Sequence, residues 1–136
     1  MANPRVFISF DFDNNSTEKM LFVGQSKNAK TPINIEDWSS KTHLPQKEWE
    51  KLIHEKINKC NILIVLVGKS MLSATGVAKE ISFANENNVP VFGIYVDGAN
   101  ENSSLPTGLQ RNRTIKWSWD SIANAIDQCM NEGKNI

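Results

Sequence analysis

Glu80 is the residue of this chain best placed to do chemistry. It stands near the start of a short helical pattern, past the polar loop that leaves the apolar run Ile62 to Val67. In an open parallel sheet such a loop opens onto the crevice beyond the strand ends, where ligands bind.

Three groups of polar and aromatic residues should meet at that edge: Ser9 to Asp13, Asp37 to Ser39, and Ser70 to Glu80. Asp11-Phe12-Asp13 after a strand invites a magnesium reading, since hard cations take carboxylate oxygens. A haloacid-dehalogenase-like phosphatase would follow that D-x-D with Thr or Val, and here Asn14 and Asn15 follow. A response-regulator receiver would end its third strand in aspartate, where this chain has Gly68 and Lys69. Solvated turn residues or helix caps remain the other reading of these acids. Ser73-Ala74-Thr75-Gly76 resembles a hydroxyl-rich phosphate loop, in which amides at a helix start bind an anion. In flavodoxins that loop follows the first strand and here it follows the third, which argues against a flavin. An ordinary helix cap is the alternative.

His43 and His54 lie near no nucleophile motif such as G-x-S-x-G and read as surface or half-buried residues. Trp49, Trp117 and Trp119 read as core or edge aromatics, whereas Trp38 falls in a loop at the expected crevice. Cys60 and Cys129 show no C-x-x-C or Cys/His spacing and read as buried free thiols.

The elements that must position these groups follow from the apolar pattern. Arg5 to Phe10, Ile62 to Val67 and Val91 to Val96 are short apolar runs rich in β-branched residues and suit buried strands. Pro32 to Ile35 and Thr114 to Trp117 make two further strands. Helices are expected over Thr17 to Gly24, from Pro45 at a first helical position to about Lys59, from a Ser73 or Thr75 cap through Val77, Ile81 and Ala84, and over Trp119 to Cys129. Gly24 should bend or end the first, and Trp49, Leu52, Ile53 and Ile57 should form the apolar stripe of the second. The stretch after Val96, DGANENSSLPTG, is loop chemistry and the most mobile internal segment expected; residues 131–136 should be a frayed tail.

Strands alternating with helices five times predict an α/β flavodoxin-like three-layer sandwich, a five-stranded parallel sheet of order 2-1-3-4-5. At 136 residues the chain reads as a single domain, residues 1–136. Lysine plus arginine balance aspartate plus glutamate at 15 each, which leaves no charge footprint for nucleic acid or an anionic membrane. No apolar run is long enough to span a bilayer, and Met1 to Arg5 lacks the apolar core of a signal peptide, so a cytoplasmic protein is expected.

Taken together, VFISFDFD, LFVGQSKN, INIEDWS, INKCNILIVLVG, SATGVAKEISFA and IKWSWD resemble the TIR-like domains of the Thoeris ThsB type, in the same order and over nearly the whole chain. The resemblance implies a TIR-like fold and an NAD+ glycohydrolase or cyclase that cleaves the nicotinamide-ribose bond. The product would be a cyclic or modified ADP-ribose signal in antiphage defence. It implies Glu80 as the catalytic residue and Ser9, Phe10, Asp11, Asp37, Trp38, Ser73 and Gly76 as substrate-binding, with NAD+ as substrate and no further cofactor or metal. It also implies self-association for activity, with Asp37 to Lys41 able to contribute in trans, and a separate effector protein reached through the product. Many TIR enzymes carry tryptophan four residues before the glutamate, where this chain has Gly76. Because many TIR domains are adaptors, a non-catalytic interaction or nucleotide-binding module is the alternative. A nucleoside deoxyribosyltransferase-like enzyme shares the sheet class but not the motif string.

Overall fold

Five parallel strands, β1 (Arg5–Ser9), β2 (Asn34–Trp38), β3 (Ile62–Val67), β4 (Val91–Tyr95) and β5 (Thr114–Ile115), form one sheet in the order β2-β1-β3-β4-β5. This is the flavodoxin-like order read from the alternation of elements. The computed structural model describes residues 3–28, 33–39, 44–69, 71 and 74–132. Helices α1 (Ser16–Ser26), α2 (Gln46–Asn58), α3 (Thr75–Glu86) and α4 (Trp119–Glu132) cover the sheet.

Strand periodicity sorts the core into two layers. Phe7, Leu63, Val65 and Val67 point to one face, where they meet Ile53 and Ile57 of α2 and Val77, Ile81 and Ala84 of α3. Val6, Ile8, Ile62, Ile64 and Leu66 point to the other, against Phe22 of α1 and Ile122, Ile126 and Cys129 of α4. Every residue of β3 is buried, as a central strand covered on both faces requires. Among the described residues no helix is long and apolar enough to cross a membrane.

Several element boundaries differ from the sequence expectation, each for a local reason. Helix α1 continues past Gly24 to Ser26, because Gly24 lies on the exposed side with open space around it and Phe22 anchors the helix to the sheet. Pro45 precedes α2 as an extended cap residue, and Leu52 is 38% exposed, so the buried stripe narrows to Ile53 and Ile57 with Trp49 half-buried. Ala74 occupies the cap position of α3 without a side-chain cap bond, Thr75 is already helical, and Ser73 lies outside the described residues. Strand β5 stops at Ile115, since Trp117 turns away to pack on Phe22 and donates its indole N–H to Gln25. Helix α4 runs to Glu132, so Asn131 and Glu132 are helical; residues 133–136 lie outside the described set. The expected loop after β4 is tied internally, with Arg111 donating to the carbonyls of Glu101 and Ser103.

The most consequential difference is β2, which runs from Asn34 to Trp38 rather than ending at Ile35. Asp37 and Trp38 are therefore strand residues, and they point to opposite faces.

Candidate active site

The site is assembled where β1, β2 and α3 converge. Ser9 ends β1 on the same side as Phe7, so its hydroxyl faces α3. Ser39 follows the last residue of β2, held by its amide donating to the Ile8 carbonyl. Val77, Ile81 and Ala84 fix the buried stripe of α3, and Glu80, one residue before Ile81, is carried inward with them to 1% exposure.

Two hydroxyls reach one carboxylate oxygen. Ser9 Oγ donates to Glu80 Oε1 at 2.7 Å, and Ser39 Oγ donates to the same atom at 2.5 Å. Ser39 Oγ also accepts the Phe10 amide N–H at 3.1 Å, which fixes its direction. Oε2 carries no hydrogen bond from the described residues, although Glu80 lines a cavity. One oxygen is thus held by the protein and the other is left to a ligand.

Burial pushes the Glu80 carboxyl from 4.5 up to about 7; the two serine hydroxyls oppose that rise and the charge of Asp37 adds to it. No cation pairs with it among the described residues. Perturbation by desolvation in a cleft marks a functional candidate, because a carboxylate this costly to bury gives no return in stability.

The cavity over Glu80 encloses about 200 Å³, with Phe10, Asp11, Phe12, Ser39, Trp49 and Gly76 among its lining residues. Phe10 and Phe12 hold their ring centroids 6.1 Å apart. Asp11 Oδ1 accepts the Asp13 amide and Oδ2 accepts from the Asn14 side chain, so its carboxylate shapes the loop after β1 while bordering the cavity. No group of three His, Cys, Asp or Glu side chains among the described residues could hold a metal ion.

Of the residues singled out from sequence, Ser9, Phe10, Asp11, Gly76 and Glu80 meet here. Asp37 and Trp38 do not line the cavity. Asp37 pairs with Lys56 at 2.6 Å in a groove bordered by Arg5 and Lys59, and acts on Glu80 only through its charge. Trp38 projects to the α1 face, where the Lys19 ammonium lies 4.2 Å from its ring centroid. The lengthened β2 explains both placements, because it makes Ser39 the residue that arrives at Glu80.

Ser39 was expected at this edge as the last of the Asp37 to Ser39 group, but its bond to Glu80 was not anticipated. Trp49, read as a core or edge aromatic, does pack on the core, and its indole Cη2 also lies 4.0 Å from where a Cβ on Gly76 would stand. The corner left bare at position 76 is therefore bordered from α2. Glu50 and Lys79 form an ion pair beside it that joins α2 to α3. The glycine four residues before Glu80 was the signal that an outside side chain could approach.

Comparison with known proteins agrees with this architecture. A prokaryotic SEFIR domain superposes with a TM-score of 0.54 at 14% identity, covering 95% of this chain and 91% of that one. A 3-dehydroquinate dehydratase-like protein from Bifidobacterium longum superposes with a TM-score of 0.50 at 10% identity, covering 96% and 97%. At such identities the likeness concerns the fold alone. No curated protein sequence matches significantly. The sequence profile of the family described as Thoeris protein ThsB, TIR-like domain, matches residues 7–101, from within β1 through the whole of α3 and β4. The chain therefore belongs to the family of TIR-like domains of the Thoeris protein ThsB.

Proposed function

We propose that this domain cleaves the bond between nicotinamide and ribose in NAD+ and releases a cyclic or otherwise modified ADP-ribose, a signal that acts on a separate effector in antiphage defence. The observation that carries the reading is the Glu80 carboxylate: buried, uncompensated by a cation, tethered through Oε1 and open at Oε2. Its place in a Thoeris-family domain supports the same reading.

The chemistry asks little else of the protein. The bond between ribose C1′ and the pyridinium nitrogen breaks with its electron pair going to nitrogen, so nicotinamide leaves neutral and needs no general acid. Positive charge develops on the ribose, and a carboxylate in a poorly hydrated site stabilises it more strongly than water would. Water or an internal nucleophile of the substrate then takes C1′ and gives up a proton, which the Glu80 carboxylate can accept because its pKa lies close to neutral. Ser9 and Ser39 hold the carboxylate in place through both steps.

The cavity is smaller than the roughly 300–1,000 Å³ of pockets that enclose a whole ligand. It suits the reacting ring rather than the dinucleotide. Self-association, covering the remainder of the substrate, would complete the site. The same small volume favours a second reading, a module that binds a nucleotide or protein partner without turnover.

Incubation of concentrated protein with NAD+, followed by liquid chromatography and mass spectrometry, separates the two. Nicotinamide release that falls at least about 100-fold in Glu80→Gln establishes the enzyme, and the mass of the co-product distinguishes hydrolysis from cyclisation or conjugation. Release that survives the substitution removes Glu80 from the mechanism. If purified protein is silent, the assay is repeated in lysate of phage-infected cells; silence there as well favours the binding module.

A further inference from the structure

The cavity over Glu80 has an aromatic wall built from an element that carries none of the reacting groups. Trp49 lies on α2, half-buried, with its inner part packed on the core of the α2–α3 face and its indole reaching the cavity. Gly76 supplies no side chain in the first turn of α3, and the six-membered ring of the indole comes within contact distance, 4.0 Å, of where its Cβ would stand. Phe10 and Phe12 bring two further rings from the loop after β1. Thus three aromatic residues and the carboxyl residues Asp11, Asp13 and Glu80 border a space of ring size.

Such a lining favours one class of ligand. A flat aromatic cation gains from the negative faces of the rings and from the nearby carboxylate. A flat neutral ring loses the electrostatic part of that gain. The rings would therefore grip a pyridinium before cleavage and hold the neutral base less tightly afterwards.

We propose that Trp49 is the specificity-determining wall that receives the planar cationic ring of the substrate, in the cavity that Trp49 and Gly76 border. This inference rests on the reading of Glu80 as the centre of N-glycosidic cleavage, but it can fail separately. Gly76 is part of it, because a large side chain at position 76 would compete with the indole for the same space.

The test compares ligands with and without the ring. In a Glu80→Gln background, which stops turnover, calorimetry measures binding of NAD+ and of ADP-ribose. Adding Trp49→Leu is expected to weaken NAD+ binding by about 5- to 30-fold while ADP-ribose binding stays within about twofold. Trp49→Phe, which keeps an aromatic face, should recover most of the loss. A parallel fall for both ligands means that Trp49 only supports the fold, and no change for either means that it does not touch substrate; both results overturn the proposal. The pyridinium alone, as 1-methylnicotinamide, separates this inference from the reaction. Binding that depends on Trp49 in a protein that never cleaves NAD+ would uphold the wall and remove the proposed activity. Cleavage of NAD+ with no dependence of ring binding on Trp49 would do the reverse, and absence of binding by either NAD+ or 1-methylnicotinamide overturns the wall.

Discussion

Two openings beside the strand ends differ in a way their sizes do not suggest. The groove next to β4 and β5 has about 830 Å³, with Tyr95, Arg111, Lys116 and Trp117 on its surface. The cavity over Glu80 has about 200 Å³. In the larger one the conspicuous charge is committed to structure, since the Arg111 guanidinium donates to the carbonyls of Glu101 and Ser103 and to the Tyr95 hydroxyl. In the smaller one the charge is buried without a counter-ion, and one oxygen is unengaged by the described residues. An arginine satisfied by carbonyls ties a loop together. A carboxylate buried without a cation, with one oxygen unengaged by the described residues, is not committed to structure in that way.

The sharpest way to break this contrast is through stability. If Glu80 is held against its own preference, removing the charge must stabilise the fold, and the gain must depend on pH. The folded-state pKa of about 7 lies above the ordinary value of 4.5, so the folded state binds the proton more tightly. Stability due to this group is complete below about pH 4.5 and is lost as pH rises through 7. Glu80→Gln should therefore be more stable than wild type by about 1–3 kcal/mol at pH 8, with the gap closing toward pH 5. Urea midpoints at the two pH values check this. An equal gap at both would mean that the charge carries no penalty.

A second test concerns the tether. The serine hydroxyls favour the charged carboxylate, so Ser39→Ala should raise the Glu80 pKa further. The acid limb of the pH–rate profile would move up by about one pH unit, lowering the rate at pH 7 roughly fivefold while leaving the rate near pH 9 largely intact. A uniform loss across pH would show that Ser39 positions Glu80 without tuning it.

The smallest effect belongs to the large groove. Arg111→Ala should cost about 1 kcal/mol or less at this exposed site, read as a small fall in thermal midpoint, and should leave NAD+ turnover unchanged. A marked fall in turnover would mean that the contrast between the two openings is misplaced.

What could be read from the sequence follows the range of the forces involved. Strands β3 and β4 are legible because a covered strand must be an unbroken apolar run, and the inward face of α3 is legible from Val77, Ile81 and Ala84. Glu80 is legible as a consequence, since its place on that helix is fixed by local periodicity. The end of β2 is not, because IEDW carries mixed signals and the ladder with Phe7 and Ile8 of β1 decides how far the strand extends. Those extra residues moved Asp37 and Trp38 out of the expected crevice and left Ser39 alone of that group beside Glu80. Trp49 is illegible for a different reason: its role depends on how closely α2 and α3 approach, which no local pattern encodes.

The hydrogen bond from Ser39 to Glu80 also makes the carboxylate a tie between the interior and the rim of the sheet. Strand β2 is an edge strand, paired on one side only, and its ladder with β1 is irregular between Val6 and Phe7. Edge elements open at lower free energy than a central strand such as β3. A brief separation of β2 would withdraw one of the two hydroxyls from Glu80 and leave the rest of the fold standing. One of the two hydroxyls that hold this deeply buried group is therefore carried by an edge of the sheet, outside the pocket's covered interior.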